Sequence, residues 1–108
     1  AIDYMRKHIN NPHFYVFTDN PCWVKDNLPE FEYMLVDWNE VSGKRNFRDM
    51  QLMSCAKHNI IGNSTYSWWA AWLNANQDKI VVGPKRFFNP INSFFSTCDI
   101  MCEDWISL

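Results

Sequence analysis

The chain has 108 residues, room for one domain with a core of ordinary size. Hydrophobic residues make up 47% and charged residues 20%, which excludes a disordered or fibrous chain. Lys and Arg number 10 against 12 Asp and Glu, so no basic excess exists to cover a nucleic-acid backbone.

No apolar run approaches the roughly 20 residues that span a bilayer. A soluble piece is expected, with no nucleic-acid partner and no transmembrane segment.

Ile2, Met5, Arg6 and Ile9 fall at helical spacing and predict a helix over residues 2–10, ended by Asn10, Asn11 and Pro12. No N-cap residue stands ahead of it, and the first residue is Ala1, so the chain reads as cut from a longer one. No signal peptide is visible. Residues 13–18 are aromatic and β-branched and predict a strand, stopped by Asp19, Asn20 and Pro21. Pro21 suits the start of a short helix to Leu28, because its missing amide hydrogen costs nothing there. Phe31–Val36 reads as a second strand. A polar stretch, Asn39–Asn46, leads to a helix over Phe47–Lys57 with Met50, Leu52, Met53 and Ala56 near one face. Asn59–Gly62 is a brief apolar strand of the kind buried in a parallel sheet, Ser64–Leu73 a helix, and Lys79–Val82 a fourth strand. The tail from Gly83 reads as irregular.

Strands alternating with helices predict an α/β fold with one parallel sheet. Ligands of such sheets sit beyond the carboxyl ends of the strands. Three segments lie there: Thr18-Asp19-Asn20, the polar stretch before Phe47, and Gly62-Asn63-Ser64-Thr65. In the third, Gly62 allows close approach to the backbone, and the first helical turn offers unpaired amides to an anion. Ser64 and Thr65 add hydroxyls, a set that holds a phosphate without Lys. A plain N-cap role for Ser64 fits the local pattern as well. Asn63-Ser64-Thr65 also spells a glycosylation acceptor, read as accidental because a strand-to-helix junction makes a poor surface loop.

Trp68, Trp69 and Trp72 suggest a sugar-stacking platform, but such bulk on a helix more often packs in a core. Trp69 and Trp72 are therefore expected to be buried against the sheet. Cys22, Cys55, Cys98 and Cys102 lack zinc-site spacing, and buried free thiols are the plainer reading. Asp49 falls in the first turn of its helix, where the dipole favours a carboxylate whatever its role.

The run from Arg48 to Trp69, RDMQLMSCAKHNIIGNSTYSWW, closely resembles a signature of the α-1,2-fucosyltransferases, glycosyltransferase family 11. The flanks agree: Tyr4-Met5, Phe14 to Asp19, Ala71-Trp72-Leu73, Lys79 to Val82 and Pro84-Lys85. The resemblance implies a Rossmann-like three-layer domain with a short parallel sheet, part of a GT-B glycosyltransferase. It further implies that residues 1–108 are a partial C-terminal domain that binds GDP-β-L-fucose. The reaction implied is metal-free, inverting transfer of fucose to the 2-hydroxyl of a galactoside. The implied location is cytoplasmic, at the inner face of a bacterial membrane.

Carried over by position, Asp49 falls where an Asp binds guanine, and Ser64 and Thr65 fall where small hydroxyl residues bind the diphosphate. A carboxylate suits guanine because it accepts both edge donors at once. Asn63, Tyr66 and Asp19 are secondary candidates for the nucleotide site; Tyr66 lies where the related enzymes vary. The family's His-x-Arg-Arg-x-Asp motif has no counterpart after His8, His13 or His58. That motif and the acceptor domain are expected to precede Ala1, leaving no catalytic residue in this segment and no activity for it alone. Two other readings stay open: a related GT-B enzyme using another nucleotide sugar, and a carbohydrate-binding module built on Trp side chains.

Overall fold

A computed structural model describes residues 1–40, 42–88 and 100–108. Two compact units emerge, residues 2–49 and residues 50–108 together with Ala1.

The N-terminal unit is a helix followed by a β-α-β segment. Helix α1, Ile2–His8, carries Asp3 in its first turn and Arg6, Lys7 and His8 in its last, a charge order that complements the helix dipole. It buries Met5. Asn11 then takes a left-handed φ of 50°, and Pro12 bars further helix. Strand β1, Phe14–Phe17, leads to helix α2, Pro21–Asn27, whose first position is the expected proline. The Asn20 side chain accepts the amide hydrogen of Trp23 at 3.0 Å and caps α2. Strand β2, Tyr33–Val36, pairs parallel to β1 with Phe14 opposite Tyr33 and Phe17 opposite Val36.

The C-terminal unit is built on a three-stranded sheet. Helix α3, Arg48–Ser54, begins in the first unit and continues here. Then follow β3, Asn59–Ile60; α4, Thr65–Leu73; β4, Val81–Gly83; and β5, Ile106–Ser107. Their order is β3-β4-β5, all parallel. Ile61, Ala71 and Val81 form the core cluster, with Trp68 and Trp105 packed against it. Gly83 lies in close quarters: a Cβ there would lie 2.7 Å from the end of the Met101 side chain, which would have to shift.

Several expectations are corrected. The strands are parallel as expected, but they form two sheets rather than one. Strand β5 falls in a tail read as irregular, since its pairing partner in β4 lies more than twenty residues away. Helix α3 is shorter than residues 47–57, and Leu52 is exposed. Cys22 and Cys55 are free thiols, yet both are exposed; Cys102 is half-buried, and Cys98 lies outside the described residues.

Trp69 and Trp72 are 49% and 54% exposed rather than buried. The reason lies in the face of α4 that meets the sheet. Ala70 and Ala71 are wholly buried and Ala71 packs with Ile61 and Val81, so small side chains occupy the buried face of the helix. The indoles are displaced to the flanks. Trp68 alone of the three turns inward, and its Nε1 donates to the carbonyl of Ile100 at 2.8 Å.

Candidate functional site

Buried Ile61 follows directly on β3, and Gly62, Asn63, Ser64 and Thr65 after it are all exposed. The expectation of a poor surface loop here is therefore not met. A Cβ on Gly62 would meet nothing within 4 Å, so the protein leaves the space over this turn open. Ser64 is the N-cap of α4, in extended conformation, and its Oγ accepts the Tyr66 amide hydrogen at 3.2 Å. Its carbonyl accepts from the Trp68 amide at 3.0 Å and from Ser67 Oγ at 2.9 Å. Capping and ligand binding are compatible for this side chain, because a hydroxyl that accepts one hydrogen bond still has its own hydrogen to donate. Thr65, the first helical residue, presents a second hydroxyl at the same turn.

Tyr66 uses its hydroxyl within the unit. The amide of Met50 donates to Tyr66 Oη at 2.9 Å, satisfying one of the first-turn donors of α3 that has no partner inside the helix. Asn63 and the N-cap Ser64 thus lead from β3 into the first helical residues of α4, Thr65 and Tyr66.

Asp49 and Asp19 belong to the N-terminal unit. Asp19 is exposed in the turn between β1 and α2, where Thr18 Oγ1 accepts the amide hydrogen of Asn20 at 3.0 Å. Asp49 is half-buried in the first turn of α3, and Asn39 Nδ2 donates to its Oδ1 at 2.6 Å. Asn39 was missed in the sequence. It lies in the polar stretch marked as ligand-facing, but nothing in the local pattern sets it apart from its neighbours.

Among the tryptophans, Trp72 stacks on Trp68 with ring centroids 5.4 Å apart and planes 10° apart, while Trp69 meets Trp68 edge-on at 85°. Trp69 and Trp72 are therefore nearly perpendicular, and their exposed rings form no flat platform. Among the described residues, no three His, Cys, Asp or Glu side chains gather as a metal site would require, and no helix is long and apolar enough to cross a membrane.

The chain matches glycosyl transferase family 11 over residues 1–108, and it belongs to that family of glycosyltransferases. The Escherichia coli O-antigen biosynthesis glycosyltransferase WbnK is 43% identical over 94 residues, which cover 86% of this chain and 29% of that protein. An Escherichia coli alpha-1,2-colitosyltransferase is 36% identical over 110 residues, covering 100% of this chain and 37% of that protein. The chain spans about a third of the length of these curated relatives. No solved structure matches it.

Proposed function

We propose that this chain is the donor-binding part of an inverting α-1,2-glycosyltransferase, with GDP-β-L-fucose as donor and the 2-hydroxyl of a galactoside as acceptor. The observation that carries this reading is family membership across the whole chain, together with a relative whose printed activity forms an α-1,2 linkage. In this reading the domain is the nucleotide half of a GT-B, Rossmann-like enzyme. Asp49 accepts the guanine N1 and N2 hydrogens. Its Oδ1 already receives Asn39, but a carboxylate oxygen has a second lone pair for the base.

Ser64 and Thr65 donate to the diphosphate at the open turn before α4, beside first-turn amides that favour an anion. Negative charge builds on the diphosphate as the sugar–oxygen bond breaks, and donors already in place stabilise it without reorganising. The chemistry proceeds without a metal. Acceptor binding, and the Arg contact supplied by the family motif, belong to the whole protein outside these 108 residues.

The colitosyltransferase supports a second donor reading, in which the same nucleotide grip presents colitose in place of fucose. The right-angled Trp69 and Trp72 rings give no support to a carbohydrate-binding module. The deciding experiment is transfer by the whole protein from GDP-fucose to lactose, with Asp49→Ala and Asp49→Asn alongside. Both variants raise the donor KM, the alanine by about tenfold or more for loss of a charged acceptor. The asparagine amide accepts one guanine hydrogen and opposes the other. An unchanged donor KM in Asp49→Ala rejects the base assignment.

A further inference from the structure

One feature of the N-terminal unit without an assigned role is the contact between Asn39 and Asp49, ten residues apart in the chain. Strand β2 ends at buried Val36, so Asn39 stands three residues past its carboxyl end, on the side where ligands of parallel sheets bind. Its side chain is half-buried, and Nδ2 lies 2.6 Å from Asp49 Oδ1. The amide nitrogen rather than its oxygen faces the carboxylate, because two oxygens at that separation would repel. A hydrogen bond to an ionised acceptor is among the stronger and more directional of protein contacts.

A carboxylate joined to its chain by freely turning bonds presents its two oxygens in many orientations. Gripping two adjacent donors on one edge of a base requires a single orientation of the carboxylate plane. One donor fixed at Oδ1 restricts that rotation and leaves Oδ2, and the second lone pair of Oδ1, for a ligand.

We infer that Asn39 is a positioning residue for nucleotide recognition: it orients the Asp49 carboxylate so that both oxygens meet the guanine edge, and thereby sets selectivity for a 2-aminopurine base. The inference rests on the donor reading given above. Asn39 touches no substrate; it acts through Asp49. Its removal therefore weakens recognition of the guanine 2-amino group more than it weakens nucleotide binding as a whole.

The test compares GDP with inosine diphosphate, which is GDP without the 2-amino group, as competitive inhibitors of the whole protein. The unaltered protein prefers GDP by about tenfold or more, the expected worth of one charged hydrogen bond. Asn39→Ala reduces that preference by about three- to tenfold, mainly through weaker GDP binding, and leaves the acceptor KM unchanged. Asn39→Asp, of the same shape but repelling Asp49, reduces it as far or further and serves if the alanine variant folds poorly. In an Asp49→Ala background the Asn39→Ala change has no further effect on the preference.

A merely structural role for Asn39 weakens both nucleotides equally. Equal weakening, or an unchanged preference in both Asn39 variants while Asp49→Ala abolishes it, overturns the positioning role and leaves the donor reading standing. An Asp49→Ala protein that keeps the full preference overturns the donor reading, and the role of Asn39 with it.

Discussion

Asn74 Nδ2 donates to Asn59 Oδ1 at 2.7 Å, joining the C-cap of α4 to the first residue of β3 in a buried contact. The same Nδ2 donates to the Ala56 carbonyl at 2.7 Å, Asn59 Nδ2 donates to the Met53 carbonyl at 2.9 Å, and Asn74 Oδ1 accepts the Asn76 amide hydrogen. Two side chains thereby satisfy backbone groups from the end of α3 and the segment after it. Lys79 Nζ completes the end of α4, donating to the carbonyls of Ala71 and Asn74. Asn74→Ala strands several buried polar groups at once and lowers stability by about 2–4 kcal/mol, read as a shift in the denaturant midpoint. A loss below about 0.5 kcal/mol contradicts this account.

Tyr66→Phe keeps the ring and removes the oxygen that accepts the Met50 amide hydrogen. A half-buried first-turn amide loses its partner, and stability falls by about 1–2 kcal/mol. Hydrogen exchange at Met50 reports the effect directly, with faster exchange in the variant. Unaltered protection there shows that the hydroxyl does not hold the amide.

Burial pushes the Cys102 thiol above its ordinary range; the Lys79 charge pulls it part of the way back, and Asp104 pushes it up again. The thiolate is the reactive form, so iodoacetamide at pH 8 modifies exposed Cys22 and Cys55 before Cys102, as peptide mass mapping can follow. The sign for stability follows from proton binding. The folded chain holds the Cys102 proton to higher pH than the unfolded chain does. Its contribution is full below the ordinary thiol range and is lost as pH rises from about 8.5 upward. Cys102→Ser flattens that part of the stability profile; an unchanged slope contradicts the shift.

On the proposed reading, residues 1–108 alone are expected to bind GDP weakly and to transfer no fucose. That reading leaves the positioning of the acceptor and part of the stabilisation of the leaving diphosphate to the whole protein. Calorimetric titration and a radiolabelled transfer assay measure the two properties separately. Turnover by the segment refutes the need for the family's Arg motif, and absence of GDP binding shows that the isolated site is not preformed. In the whole protein, dialysis against EDTA leaves the transfer rate within about twofold. A collapse restored by a divalent ion refutes the metal-free reaction, since a lost Lewis acid removes several kcal/mol of charge stabilisation.

The alternation of helices and parallel strands was legible in the sequence because its signals are local. Asn20 and Pro21 start α2, Asn11 and Pro12 end α1, and Ser64 caps α4, each through groups a few residues apart. The family signature from Arg48 to Trp69 was legible for the same reason. Other features were decided only when distant segments met. Strand β5 exists because Ile106 and Ser107 find the open edge of β4.

The bulk of Trp69 and Trp72 suggested burial, but burial depends on which helix face turns to the core, and Ala70 and Ala71 occupy that face. Composition likewise could not tell that Cys22 and Cys55 face solvent. The partner of Asp49 was hidden in the same way: a hydrogen bond fixes atoms within about 3 Å, and only folding the loop after β2 back onto α3 brings Asn39 that close.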